Sequence, residues 1–325
     1  MSFDTSFDIK NIICLYFYDL KDAINLYNLN KDHQNNIIIT NLYDIPQKYL
    51  QKLDQKIIEQ NKYKYLEKLC ASKNENINNI NHITNTLKKL DCSYSNGIDQ
   101  IGISELNLIE LCVYGNEKIK NVNYMKKTLK ILDCSQNCGI DQNGISELNL
   151  IELCVDDNKK IKNVNYVRNT LKILYCRGDS GIDQNGISKL NLIELCVTGN
   201  EKIKNVNHMK ETLKILYCSF NSGIDQYGIS ELNLIELCAT DNKKIKNVNH
   251  MKNTLKILDC CFDSGIDQNG ISELNLIELN MNGNKQIKNL NHMKKTLKIL
   301  HCIGYSGGID QNGISELNLI ELYWL

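Results

Sequence analysis

The sequence predicts an α/β solenoid. Its parts are one curved parallel β-sheet of stacked strands, short helical or 3₁₀ segments on the convex side, and a small helical N-terminal module. Three observations predict it. A 42-residue unit recurs almost verbatim, so that Leu87, Leu129, Leu171, Leu213, Leu255 and Leu297 are each 42 apart. A second series, Leu66, Leu108, Leu150, Leu192, Leu234 and Leu276, lies midway and divides each unit into two 21-residue halves. Within each half the apolar residues alternate briefly with period two and then recur every three residues, which reads as one short strand and one return segment. A unit this small cannot bury its apolar face alone, so the copies must stack, and the product is a long surface rather than a pocket.

Residues 1–62 do not repeat. Ile9, Ile12, Ile13 and Phe17, then Leu20, Ala23, Ile24, Leu26 and Leu29, recur at helical spacing and predict two short amphipathic helices. Asp44 and Pro46 mark the start of a further helix with Leu50, Leu53, Ile57 and Ile58 on one face, covering the open end of the solenoid. Residues 63–325 then form about 12 full 21-residue units plus a partial last one.

One half runs from Leu129 to Ile140 in the pattern L-x-x-L-x-C-x-x-N-x-x-I; the other runs from Leu150 to Ile161 with Val155 in place of the cysteine. The two leucines and the Cys or Val point inward, and the residues between them face the concave side. Asn74, Asn116, Asn158, Asn200, Asn242 and Asn284 recur where each strand ends, and an amide there can satisfy turning backbone. The other halves place Ser95, Asn137, Asp179, Asn221, Asp263 and Tyr305 at that position, a looser ladder. Gly139–Leu148 reads as a turn, an Asp141 cap and a short helix burying Ile145 and Leu148, whereas Ile161, Val164 and Val167 suit a 3₁₀ segment. Trp324 falls where the core position otherwise holds Val or Cys, as a minimal cap.

Composition narrows the function. With 38 basic and 38 acidic side chains the formal net charge is zero, which argues against nucleic-acid or anionic-membrane binding; the Lys118, Lys120, Lys126 and Lys127 edge is interleaved with Glu. Fourteen cysteines follow the repeat rather than a disulfide framework, so packing thiols in a reducing compartment are expected. No apolar run approaches the roughly 18 residues that span a bilayer. The Ile12–Phe17 stretch lacks a basic leader and a cleavage site. A cytoplasmic or nuclear location follows. There is no phosphate-binding loop, nucleophile elbow or C-x-x-C pair. His208, His250 and His292 recur about 10 Å apart, too far to share an ion whose ligands sit about 2.1 Å from it. Asp141–Gly144 lacks the oxygen donors of a calcium loop. The expectation is no enzyme, no metal and no cofactor.

These residues resemble the leucine-rich-repeat superfamily over about 260 of 325 residues. The half containing Leu129, Leu132, Ile140, Gly144, Ile145 and Leu148 resembles its cysteine-containing subclass. It departs in Cys134, in Asn137 at the subclass cysteine, and in its 21-residue length against about 26, which implies shorter convex helices. That subclass often follows an F-box. Asp8-Ile9, Ile12-Ile13, Phe17, Asp19–Asp22, Ala23, Leu26 and Leu29–Lys31 resemble the F-box outline, without its initial Leu-Pro and closing Trp. The resemblance implies docking of a Skp-type subunit through Ile9, Ile13, Phe17, Leu20 and Leu26, hence a substrate adaptor of a cullin–RING ubiquitin ligase. The Asn/Ile/Lys-rich style is also similar to repeat proteins of large DNA viruses of amoebae, which implies the host cytoplasm.

The concave face carries the candidate site. One row alternates Glu and Ile from Glu110 to Ile257, with Lys130, Lys172, Lys214 and Lys256 placed to pair with the glutamates. Beside it the copies differ: Asp133, Tyr175, Tyr217 and Asp259 at one position, Ser135, Arg177, Ser219 and Cys261 at the next outward one, then Gln136, Phe220 and Phe262. Tyr, Arg and Phe are enriched at interface centres. Asp133, Tyr175, Arg177, Tyr217, Phe220, Asp259 and Phe262 are therefore the expected partner-binding residues. The expected function is a protein-interaction module; the alternative to a ligase adaptor is a non-enzymatic scaffold or a decoy for host protein.

Overall fold

A computed structural model describes residues 38–43, 45–95, 97–303 and 308–324. The F-box-like positions Ile9, Ile13, Phe17, Leu20 and Leu26, and Asp44 and Tyr305, lie outside the described residues. The chain divides into two compact units, Met1–Leu150 and Ile151–Leu325.

The first unit holds strands β1 (Asn41–Leu42), β2 (Lys68–Cys70), β3 (Lys89–Asp91), β4 (Glu110–Cys112) and β5 (Ile131–Asp133), each parallel to the next in chain order. The second holds β6 (Glu152–Cys154), β7 (Ile173–Tyr175), β8 (Glu194–Cys196), β9 (Ile215–Tyr217), β10 (Glu236–Cys238), β11 (Ile257–Asp259), β12 (Glu278–Asn280), β13 (Ile299–His301) and β14 (Glu321–Tyr323), again in order and parallel. Register follows the 21-residue half: Leu195 faces Leu216, and Leu216 faces Leu237. A slip of one residue would turn the buried leucine row outward, so the leucines hold the pairing.

Strand β1 comes from the non-repeating segment and was not expected. After it, the single helix expected near Pro46 is two four-residue helices, α1 (Gln47–Leu50) and α2 (Gln55–Ile58). The break falls at Asp54, whose carboxylate accepts from Ile57 N at 2.8 Å and so starts a new helix. Leu50, Leu53 and Ile58 are buried as anticipated, whereas Ile57 is half-buried.

Leu129, Leu132, Cys134, Cys176, Cys218 and Cys260 are all essentially inaccessible. Cys302 and Leu322 depart from this: Cys302 is half-buried and Leu322 is 44 % exposed, because no further described repeat packs on β14. Both kinds of return segment contain a 3₁₀ turn, for example Asn185–Ile187 and Asn207–Met209. Among the described residues the helix expected after the Asp cap appears only as α3 (Gln311–Ile314); elsewhere the 21-residue half leaves too few residues for a full α-turn.

The Asp-Gln-Asn-Gly segment is structural at each residue. Asp183 accepts from Gly186 N at 2.9 Å. Gln184 reaches into the next half, donating to Asn205 O at 2.8 Å and accepting from Lys204 N and Asn205 N, both at 3.0 Å. The Asn185 carbonyl accepts from the Asn165 amide at 2.8 Å. At Gly186 a Cβ would stand 2.2 Å from Lys162 O, so only glycine lets the two return segments approach.

The asparagine ladder forms as expected. Asn200 Nδ2 donates to Cys176 O and Ile182 O at 2.9 and 3.2 Å, and its Oδ1 accepts from Lys202 N at 2.9 Å. The looser ladder is corrected in part: Ser95 is buried at its expected place and donates to Asn74 O at 2.8 Å, but the later copies differ. Asn137, Asp179, Asn221 and Asp263 are exposed, and the buried polar position is one residue later, at Cys138, Ser180, Ser222 and Ser264. The turn there closes a residue later, from Ser180 N to Arg177 O, where the other half closes from Asn200 N to Val197 O.

Candidate functional site

The outward face of the second unit is built by residues before, within and after each strand. Within the strands, Tyr175 and Tyr217 both pair with Cys196 and therefore lie two strands apart, about 9.6 Å. Each is half-buried and donates its hydroxyl to the glutamate of the next strand: Tyr175 to Glu194 at 2.7 Å, Tyr217 to Glu236 at 2.9 Å. Burial and those carboxylates push both phenols above their usual range, so they remain protonated donors. The expected Lys–Glu pairing is thereby corrected for this unit. Among the described residues Lys172, Lys214 and Lys256 form no ion pair, and tyrosines take Glu194 and Glu236.

Arg177 lies beside Tyr175, its guanidinium 5.9 Å from the ring centre, and its Nε donates to Asp156 at 2.7 Å. Arg177 remains exposed while its guanidinium is held beside the Tyr175 ring by Asp156, as suits an interface arginine. Its siblings do not share it. Ser135, Ser219 and Cys261, expected to face outward, are buried because these short side chains tuck under the neighbouring strand; Ser219 Oγ lies 3.2 Å from Cys238 Sγ.

The aspartates serve the fold. Asp259 accepts from Thr240, from Asn280 at 3.0 Å and from Cys261 N at 3.2 Å. Asp133, in the first unit, accepts from Ser135 N at 3.0 Å and faces the Cys112 thiol at 3.6 Å.

One residue beyond the Arg177 position the backbone is left-handed in copy after copy. Gly178, Gly199 and Gly283 have φ of +58°, +70° and +69°, while Phe220 and Phe262 adopt +57° and +55°. A bulky side chain in this region costs roughly 1–2 kcal/mol. Both phenylalanines nevertheless stand in solvent, 54 % and 55 % exposed. The structure thus brings Tyr175 with Arg177 on one side and Tyr217 with Phe220 two strands on; Phe262 follows Asp259 after another two strands.

Sequence reasoning missed the row just before the strands. Ile151, Ile193, Ile235 and Ile277 are 46–48 % exposed there and alternate with Lys172, Lys214 and Lys256. Their signal was present, since nothing in an L-I-E-L motif requires a second apolar residue beside the inward leucine.

The described cysteines are all free. Burial pushes the Cys112 and Cys261 thiols up to about 12, with nearby aspartates adding to the effect, so neither is an activated thiolate. Non-reducing intact mass should show no loss of hydrogen pairs, and native alkylation should spare Cys134 and Cys218. Losses of two hydrogens, or fast labelling of those two residues, would contradict this register. On the return side His208, His250 and His292 each donate Nε2–H to a carbonyl of the preceding half, Ile187, Ile229 and Ile271, at 3.1–3.2 Å. Burial lowers the pKa of His208 and His250 despite those bonds.

No family model matches the chain, and no curated protein matches it in sequence. Solved structures do. An internalin, InlF, from Listeria monocytogenes is 19 % identical over 85 % of this chain and 92 % of that one, with a TM-score of 0.50. The functional domain of InlJ from the same organism, which includes a cysteine ladder, is 19 % identical over 82 % and 63 %, with a TM-score of 0.47. TLR13, solved in complex with ssRNA13, is 16 % identical over 80 % and 53 %, with a TM-score of 0.46. At these identities the likeness concerns architecture, and the InlF match carries it: with its parallel strands and 3₁₀ returns, this chain has the fold of a leucine-rich-repeat solenoid.

Proposed function

We propose that the protein is an interaction module whose second unit recognises a protein partner on its outward sheet face, centred on Tyr175, Arg177, Tyr217 and Phe220 and flanked by Asp259 and Phe262. One observation carries this reading: Phe220 and Phe262 are exposed phenylalanines in a left-handed backbone position that the other copies of the second unit fill with glycine (Gly178, Gly199, Gly283) or aspartate (Asp157, Asp241). Strain without burial gives the chain nothing by itself, and a contact outside the chain accounts for it.

Affinity capture followed by mass spectrometry identifies the partner, and variants then test the face. Tyr217→Ala, Arg177→Ala and Phe220→Gly should each weaken capture at least tenfold, as losing an interface aromatic or arginine costs ~2 kcal/mol. Phe220→Gly should leave the melting temperature unchanged or raised. Lys210 and Lys252, in exposed pairs with Glu231 and Glu273 on the return side, are the matched controls. Loss of capture by Lys210→Ala with Lys252→Ala, and not by the first set, would place recognition on the other face.

Within this reading we infer that the N-terminal segment makes the module a ligase adaptor, supported by the F-box-like outline at Ile9, Ile13, Phe17, Leu20 and Leu26. The full chain carrying Ile13→Asp and Phe17→Asp should lose a Skp-type subunit and keep its partner. If the unsubstituted chain captures the partner without any ligase subunit, the scaffold or decoy role is the correct one.

A further inference from the structure

The alternating isoleucines and lysines before the strands identify the kind of partner element, a step that rests on sheet-face recognition as proposed above. In the second unit this row reads Ile151, Lys172, Ile193, Lys214, Ile235, Lys256, Ile277. Each isoleucine keeps nearly half of its surface in water, while the adjacent inward leucines are sealed. The three lysines have no ion-pair partner among the described residues. The face thus offers, every two strands or about 9.6 Å, one apolar side chain and one lysine without an ion pair among the described residues, while the neighbouring Glu194 and Glu236 accept from Tyr175 and Tyr217.

An extended peptide is a poor occupant. The backbone of this row is already committed, since Lys172 O accepts from both Ile193 N and Glu194 N, and Ile193 O accepts from both Lys214 N and Ile215 N. A strand laid across it would leave its own N–H and C=O groups unpaired against isoleucine, because strand addition needs a free sheet edge. A polyproline segment relies on donors from tyrosine-type side chains, and the Tyr175 and Tyr217 hydroxyls are held by Glu194 and Glu236. An α-helix satisfies its backbone internally. Seven residues of helix advance ~10.5 Å, and a tilt of roughly 25° brings that repeat onto the two-strand spacing.

We propose that the partner element is an acidic amphipathic α-helix lying across the strands. Its apolar residues, seven apart, pack on Ile151, Ile193, Ile235 and Ile277, and Asp or Glu between them pairs with Lys172, Lys214 and Lys256. The charge complementarity sets orientation and the apolar seam supplies affinity.

Three synthetic peptides of about 28 residues, four heptads, test this by fluorescence anisotropy against the full chain. The first carries Leu at the first and Glu at the fourth heptad position. The second has Lys for each Glu. The third keeps the first composition with its leucines out of heptad register. The first should bind at least tenfold more tightly than either other, and added salt should weaken it. Lys172→Glu with Lys214→Glu, both at half-exposed sites away from the core, should transfer the preference to the second peptide. Equal binding of the first and third peptides, or an unchanged preference after the double reversal, overturns the proposal. If the captured natural partner is lost with Tyr217→Ala and retained by the Lys172→Glu, Lys214→Glu chain, the interaction face stands and the helix inference fails. If the peptide preference holds while Tyr217→Ala leaves capture intact, the aromatic centre fails and the helix row stands.

Discussion

Gly228→Ala should destabilise the second unit by about 3 kcal/mol, although it adds only one methyl group to a return turn. The new Cβ would stand 2.0 Å from Lys204 O and 3.1 Å from the Lys204 carbonyl carbon. Backbone cannot swing aside as a side-chain tip can, so two repeats must separate. The same displacement stretches the bond from Val206 N to Gly228 O, now 3.0 Å. Gly199→Ala is the informative comparison. It has φ of +70°, but its Cβ would meet nothing nearer than 3.6 Å, so it bears only the left-handed penalty of about 1 kcal/mol. Denaturant midpoints measured on both variants check the order, and a Gly228→Ala midpoint at or above that of Gly199→Ala would refute the close-approach account. Because a repeat array is stabilised by nearest-neighbour interfaces, amide exchange should accelerate first in the halves around Lys204 and Gly228.

Asn242→Ala should cost a similar amount, about 3 kcal/mol, through a different cause. The side chain is buried and donates to Cys218 O at 2.8 Å and Ile224 O at 3.1 Å, while its Oδ1 accepts from Lys244 N at 2.9 Å. Removing it leaves two buried carbonyls and the part-buried Lys244 amide without these partners, and each buried group costs roughly 1–3 kcal/mol. Asn221→Ala, one half earlier, alters an exposed side chain and should change stability by less than ~0.5 kcal/mol. The two asparagines were expected to occupy equivalent ladder positions. Equal effects of the two substitutions would restore that equivalence and remove the shifted turn from the account.

Much of this molecule is legible in its residues alone. The 21-residue recurrence of leucine determined the parallel strands and their register, because a strand slipped by one residue would expose its whole apolar row. Asn242 and its copies were readable as backbone partners, since an amide recurring at the end of every second strand has few other uses. The variable tyrosines and phenylalanines were readable as outward. What each outward side chain does was decided by its neighbours across the sheet, which lie 19 to 21 residues away in the chain. Glu194 and Glu236 meet tyrosines rather than lysines, Asp259 is taken up by Thr240 and Asn280, and Ser219 tucks under Cys238. Two further features exist only in three dimensions. The left-handed backbone under Phe220 and Phe262 belongs to the turn that follows the strand in both kinds of half, and the demand for glycine at Gly228 follows from how closely successive returns approach. Periodicity specifies which residues stack, because burial depends on one side chain at a time. Hydrogen-bond partners and the room for a single methyl depend on distances between repeats, and those are set only when the repeats have packed.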